Sequence, residues 1–312
     1  MSPNVSLEGR TAVVTGAGAG LGRSEALALA ACGANVVVND MGPAADEVVA
    51  EIEALGRKAV AVTGDVSEWA LGDRLVRTAV DVFGGLDILV NNAGVLRDKM
   101  LFNLSESDWD DVVRVHLKGH AAVSRAAAAY WREASKAAGG PIYGRVINTS
   151  SEAFLFGSAG QPNYSAAKAG IVALTLSTAQ GLSRYGVRAN AICPRARTGM
   201  TAHVFADGGN APGGLDVLAP ERVGTFVSYL ASPAAGEING QVFVVYGDMV
   251  ALMAAPTVER KFTAADGVFS VEELDAQLTP YFDGRGPYRN FAAYSVAELD
   301  MTGVPNAAAA KK

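Results

Sequence analysis

Seven short runs of consecutive apolar residues recur along the chain, each separated from the next by a window of helical periodicity. The runs begin at Thr11, Asn35, Ala59, Leu86, Arg145, Val187 and Gln241, and end at Thr15, Asn39, Thr63, Val90, Thr149, Ile192 and Tyr246. A strand with one solvated face alternates apolar and polar residues, so these near-continuous runs belong to strands covered on both faces. The intervening windows, at 21–31, 44–55, 67–82, 106–135, 162–184 and 219–231, supply the covering helices. Regular alternation of this kind predicts an α/β protein with one doubly wound, parallel, seven-stranded sheet and helices on both faces. The pattern stops near residue 248, which leaves 249–312 as a C-terminal extension. Two capping-box patterns, Ser270-x-x-Glu273 and Ser295-x-x-Glu298, predict short helices in that extension ahead of a disordered Ala- and Lys-rich end.

Composition removes whole classes of function. Of 312 residues half are hydrophobic and 19% charged, enough apolar side chains for a large core and too few charges for a disordered chain. The net charge of −6 comes with no Lys/Arg cluster, which excludes a nucleic-acid footprint. Two cysteines, Cys32 and Cys193, make neither a disulfide framework nor a zinc site. His116 and His120 are one turn apart, but with His203 they complete no metal-binding motif, so no metal is expected. Residues 1–10 lack the apolar run of a secretion signal and no stretch is long enough to span a membrane; a cytoplasmic protein is expected.

The chemistry-bearing residues fall at the ends of the predicted strands. After the first comes Thr15-Gly-Ala-Gly-Ala-Gly-Leu-Gly22, where Gly16, Gly20 and Gly22 allow a tight turn and Leu21 opens a helix. A strand, such a loop and a helix N-terminus together form a cradle for a pyrophosphate. Asp40 ends the second strand about 20 residues later, where its carboxylate can accept from ribose hydroxyls or simply stabilise an Asp-Met-Gly-Pro turn. A carboxylate repels a 2′-phosphate and no Arg or Lys lies in 15–22 or 36–42, which favours NAD over NADP. Asp65 and Val66 follow the third strand; Asn92, Ala93 and Gly94 follow the fourth. Asp65 is suited to an adenine amino group, and the Asn-Ala-Gly segment to a wall against the cofactor. Tyr164 and Lys168 share a helix face at i and i+4, so the ammonium can stabilise a phenolate. Ser151, 13 residues before Tyr164 at the end of the fifth strand, can hydrogen-bond a substrate oxygen while Tyr164 exchanges the proton.

These motifs, in this order and spacing, resemble the short-chain dehydrogenase/reductases over about residues 7–248. The resemblance implies a Rossmann-type fold, a catalytic set of Ser151, Tyr164 and Lys168, and a second role for Lys168 in holding the nicotinamide ribose. Ala93–Asp98, Arg114–Gly119 and Gly160–Gly170 are closer still to the (3R)-hydroxyacyl-CoA dehydrogenase unit of peroxisomal multifunctional enzymes and to related bacterial dehydrogenases, some of which act on hydroxysteroids. At this length the dehydrogenase step alone is implied. His116 stands where the broad family has a relay Asn and either continues the relay or packs. Thr198 and Thr201 match the segment that contacts the nicotinamide carboxamide. Pro194-Arg195 replaces the common Pro-Gly, so Arg195 or Arg197 either reaches an acidic substrate group or lies on the surface.

The acidic run Ser105–Asp111 is read as a helix N-terminus rather than an acid/base pair. The Ala-rich face at 121–129 and the apolar face of 166–182 are expected to pack against helices, in this family those of a homodimer or homotetramer. Residues 193–218, with Pro194, Pro212 and the Gly208-Gly209 and Gly213-Gly214 pairs, are expected to form a mobile lid or a binding loop. The favoured activity is NAD-dependent interconversion of a secondary alcohol and a ketone on a 3-hydroxyacyl thioester. The alternatives are a hydroxysteroid or other lipid-like alcohol, and a non-catalytic nucleotide sensor.

Overall fold

The computed structural model describes residues 2–199, 201, 216–285 and 290–299. Eight strands form one sheet in the order β3-β2-β1-β4-β5-β6-β7-β8. They are β1 Thr11–Thr15, β2 Asn35–Asp40, β3 Ala59–Thr63, β4 Ile88–Asn91, β5 Gly144–Thr149, β6 Val187–Pro194, β7 Val242–Tyr246 and β8 Met249–Leu252. The first seven pair in parallel, as the continuous apolar runs require. The eighth strand was not foreseen. It turns back from β7 through Gly247, whose φ is 61°, and pairs antiparallel, with Tyr246 opposite Met249. Its exposed and half-buried residues alternate, the mark of an edge strand.

The described residues form nine α-helices: α1 Gly20–Ala31, α2 Ala44–Ala54, α3 Trp69–Phe83, α4 Glu106–Val113, α5 Gly119–Ala138, α6 Ala153–Phe156, α7 Pro162–Leu182, α8 Pro220–Ala231 and α9 Val271–Phe282. Successive strand residues serve opposite faces. Ala12, Val14, Val36 and Val38 pack with α1, α2 and α8 residues such as Leu29, Ile52 and Val227. Val13 and Val37 pack on the other side with Leu75, Val123 and Trp131 of α3 and α5. The acidic run behaves as a helix start: Ser105 accepts from the Asp108 N–H and the Asp108 carboxylate from the Ser105 N–H. Ser270 likewise accepts from Glu273 N at the start of α9. Around Ser295 the chain makes only a short 3-10 turn, Tyr294–Glu298. His203, Pro212, both glycine pairs of the 193–218 segment, the Glu298 side chain and the chain end from 300 lie outside the described residues.

Candidate active site

Strand order reverses between β1 and β4, and at such a switch point the loops leaving the two strands diverge to open a crevice. Every candidate residue leaves a strand on that carboxyl side or lies on a helix beside it. The glycine loop follows β1 with Gly16 at φ 62° and Gly20 at φ 56°, a region closed to most side chains. A Cβ on Gly16 would lie 2.7 Å from Ala93 Cα, and one on Gly22 2.3 Å from Gly16 O and 2.5 Å from Asn92 Nδ2. These glycines are thus required by the close approach of the β1 and β4 loops. Asn92 ties the two together: its Nδ2 donates to Thr15 O (3.2 Å) and Gly16 O (3.1 Å), and its N–H to Thr15 Oγ1 (3.0 Å). No side chain caps α1, because Ala19 stands at its N-cap, so its first N–H groups face the crevice as a pyrophosphate cradle needs.

Asp40 takes a part in that loop which its motif did not reveal. Its Oδ2 accepts from the Gly18 N–H (2.8 Å) and its Oδ1 from the Met41 N–H (2.7 Å), so one carboxylate fixes both the turn and the loop. Asp65 is occupied by Arg114 (2.6 Å) and by the Ser67 N–H (2.8 Å). Burial raises its pKa, but these contacts outweigh it and hold the carboxyl below its ordinary range. Val66 is buried against α5, where only a glycine at 119 leaves it room. Leu21 is partly buried against the core on the α1 side. Thr198 approaches Gly20, whose Cβ would stand 3.3 Å away. Thr201 is turned inward, donating to Ala196 O (2.6 Å). Of the two threonines, Thr198 is therefore the one beside the glycine loop.

Ser151 follows β5, while Tyr164 and Lys168 project from α7, where Pro162 sets the first turn. The Lys168 Nζ lies 5.3 Å from the Tyr164 ring centroid and donates to Thr149 O at 2.6 Å. Burial pushes the Tyr164 phenol up to about 12, opposed by a hydrogen bond with Ser151. Burial also pulls the Lys168 ammonium down to about 7. His116 meets Tyr164 edge to face, ring centroids 5.1 Å apart. It lies in a π-helical turn, Arg114–Lys118, inserted between α4 and α5; such turns often mark functional sites. Its Nε2 is 3.0 Å from Val95 N and 2.8 Å from Val95 O, and Nδ1 has no partner among the described residues. Burial, then the Lys168 charge, holds it neutral. A Cβ on Gly94 would be 2.2 Å from His116 Cε1, so Gly94 serves first as the space for that ring.

Two residues lie outside the motifs. Glu25 of α1 is fully buried, neither carboxylate oxygen has a hydrogen-bond partner among the described residues, and burial pushes it up to about 8. The spacing Gly22, Glu25, Ala26, Leu29 already placed it on the inward face of α1. Glu152 is nearly buried beside Ser151 and is gripped by Arg195. Arg195 therefore neither lies on the surface nor waits for an acidic substrate group. Arg197 pairs with Asp216 (2.9 Å). Among the described residues no group of three or more His, Cys, Asp or Glu side chains is placed to hold a metal, and no helix is long and apolar enough to cross a membrane.

Known proteins are similar to this chain in sequence and in fold. Over 298 residues the chain is 57% identical to the hydroxyacyl-CoA dehydrogenase ChsB1 of Mycobacterium tuberculosis, covering 92% of this chain and 93% of that protein. It is 42% identical over 255 residues to the peroxisomal multifunctional enzyme type 2 of Mus musculus, matching 78% of this chain but 32% of that longer enzyme. A crystal structure of a short chain dehydrogenase from Mycobacterium avium superposes with a TM-score of 0.82 at 44% identity, covering 92% of this chain and 99% of that one. The short chain dehydrogenase family model matches residues 10–208. With the parallel sheet, the glycine loop and the Tyr164/Lys168 face already in place, these matches establish that the chain is an oxidoreductase belonging to the short-chain dehydrogenase family.

Proposed function

We propose that this enzyme is an NAD-dependent dehydrogenase that interconverts the secondary alcohol and ketone of a 3-hydroxyacyl thioester. Family and fold imply a nicotinamide dinucleotide. The choice of NAD rests on Asp40 at the end of β2, whose carboxylate repels a 2′-phosphate. The thioester rests on the similarity to the mycobacterial hydroxyacyl-CoA dehydrogenase and to the multifunctional enzyme. The observation that carries the reaction is the cluster of Ser151, Tyr164 and Lys168 at the carboxyl end of β5.

A bound nicotinamide supplies the hydride acceptor or donor. In the oxidative direction Ser151 holds the alcohol oxygen, and the Tyr164 phenolate takes the hydroxyl proton as the carbinol hydrogen leaves with its electron pair. In reduction the Tyr164 phenol returns that proton to the ketone oxygen. Lys168, fixed by Thr149 O, favours the phenolate and holds the ribose. His116 passes the proton onward. Gly16, Gly20, Leu21 and Gly22 hold the pyrophosphate side, Asp40 the ribose, Asp65 and Val66 the adenine, Asn92, Ala93 and Gly94 the wall, and Thr198 or Thr201 the carboxamide. The enzyme works in the cytoplasm as a homodimer or homotetramer through the exposed faces of α5 and α7.

The deciding experiment presents purified enzyme with 3-hydroxyacyl thioesters and hydroxysteroids, with NAD and NADP in turn, and follows reduced-nucleotide absorbance. Turnover of the thioester with NAD is expected. Turnover of steroids alone would move the substrate. No turnover at all, with Tyr164→Phe silent in the cell, would make the protein a nucleotide sensor. Tighter binding of NADPH than of NADH would remove the role given to Asp40.

A further inference from the structure

One arginine joins the C-terminal extension to the loop that carries Ser151. Arg195 grips Glu152 with two parallel hydrogen bonds, Nε to Oε2 at 2.5 Å and Nη2 to Oε1 at 2.6 Å. The same Nη2 donates to Val296 O at 2.9 Å, in the 3-10 turn of the extension. The guanidinium lies 4.2 Å from the centroid of Tyr246, and the Tyr246 hydroxyl donates to Leu299 O at 2.8 Å. From the other side the Ala293 N–H donates to Leu155 O of α6 (2.8 Å). Val296 is 2% exposed and packs with Cys193, Leu218 and Tyr246. The extension thus touches both ends of the short Ser151–Leu155 segment, directly at Leu155 and through Arg195 at Glu152.

A buried ion pair is a poor source of stability, since apolar replacements are often neutral or stabilising. What an arginine fork on a carboxylate does supply is a fixed orientation. Glu152 is covalently next to Ser151, so that orientation reaches the Ser151 hydroxyl within one residue. We propose that Arg195 is a positioning residue for Ser151, acting through Glu152, and that docking of the 293–299 segment completes its support. The inference rests on the role given to Ser151 under the proposed function, and it makes the extension a part of the substrate-oxygen site.

The test measures kcat, KM and NADH affinity on the full-length chain for Arg195→Met, Ser151→Ala and the two combined. Arg195→Met is expected to lower kcat about 10- to 100-fold, as a misplaced catalytic group does. NADH affinity should stay within about twofold, and the loss should vanish in the Ser151→Ala background, because coupled residues are not additive. Arg195→Lys keeps the charge without the fork and should recover only part of the rate. Since Arg195→Met strands a buried carboxylate, Arg195→Met with Glu152→Gln keeps the pocket neutral and should show the same loss of kcat. Val296→Asp, which expels the turn, should show it too. Full kcat in the neutral double variant, or losses at Arg195 and Ser151 that simply multiply, would overturn the proposal while leaving Ser151 in its role. If Ser151→Ala keeps full kcat, the role of Ser151 falls first and the positioning role falls with it.

Discussion

Burial sets the chemistry of single residues in this cleft more than any one charge does. It raises Tyr164 to about 12 and lowers Lys168 to about 7, so at neutral pH the phenol keeps its proton and only part of the lysine is charged. Alcohol oxidation needs the phenolate; its kcat/KM should therefore rise with pH up to the phenol's own pKa, about tenfold per unit where one deprotonation limits the rate. Tyr164→Phe should remove that rise, and a flat profile for the wild type would argue against Tyr164 as the base. Glu25 offers a separate test in stability. Its folded pKa of about 8 lies above the ordinary 4.5, so the folded state keeps a proton that the unfolded chain releases. Stability is then fully present below about pH 4.5 and is lost as pH rises toward 8, by a few kcal/mol. Glu25→Gln should flatten the fall in Tm between pH 5 and 8; an unchanged slope would show that this carboxyl is not the cause.

Among the elements, the helices differ in what their small residues do. Gly72 of α3 lies against α5, and a Cβ there would stand 2.6 Å from Ala122 O, a backbone atom that cannot swing aside. Gly181, near the end of α7, has no atom within 4 Å of the same position. Ala gains up to about 1 kcal/mol over Gly in a helix interior, whereas overpacking costs about 1–3 kcal/mol. Gly72→Ala should therefore lower the denaturation midpoint and Gly181→Ala should hold or raise it. Equal shifts in a urea titration would contradict the packing account. The windows holding α1 to α5, α7 and α8, and seven strands, were legible from periodicity, because both faces of a parallel sheet demand apolar cover; α6 fell in no window, and α9 was signalled only by its Ser270 capping box. The π turn was not legible: Arg114–Lys118 lies inside one long helical window, and the turn places His116 against Gly94, a contact that no periodicity records.

At the scale of the whole molecule, the sheet brings together residues more than a hundred positions apart, among them Gly20 and Thr198. It also leaves apolar surface unused by the chain itself. Leu176 of α7 is 41% exposed on the face assigned to subunit contact. Leu176→Arg should shift the enzyme toward smaller species in analytical ultracentrifugation, and an unaltered mass distribution would place the contact elsewhere. The amino-acid sequence by itself determined the parallel sheet, the crossover helices, the glycine loop and the one-turn spacing of Tyr164 and Lys168 on a single helix. Those features are local in pattern, and each states its own physics within a few residues. Only the tertiary structure decided that Asp40 braces Gly18, that Glu25 is buried without a hydrogen-bond partner among the described residues, that β8 returns along β7, and that Arg195 joins Glu152 to Val296. Those contacts cross from one strand end to another, and no periodicity records which charge will be shut away from water beside which partner.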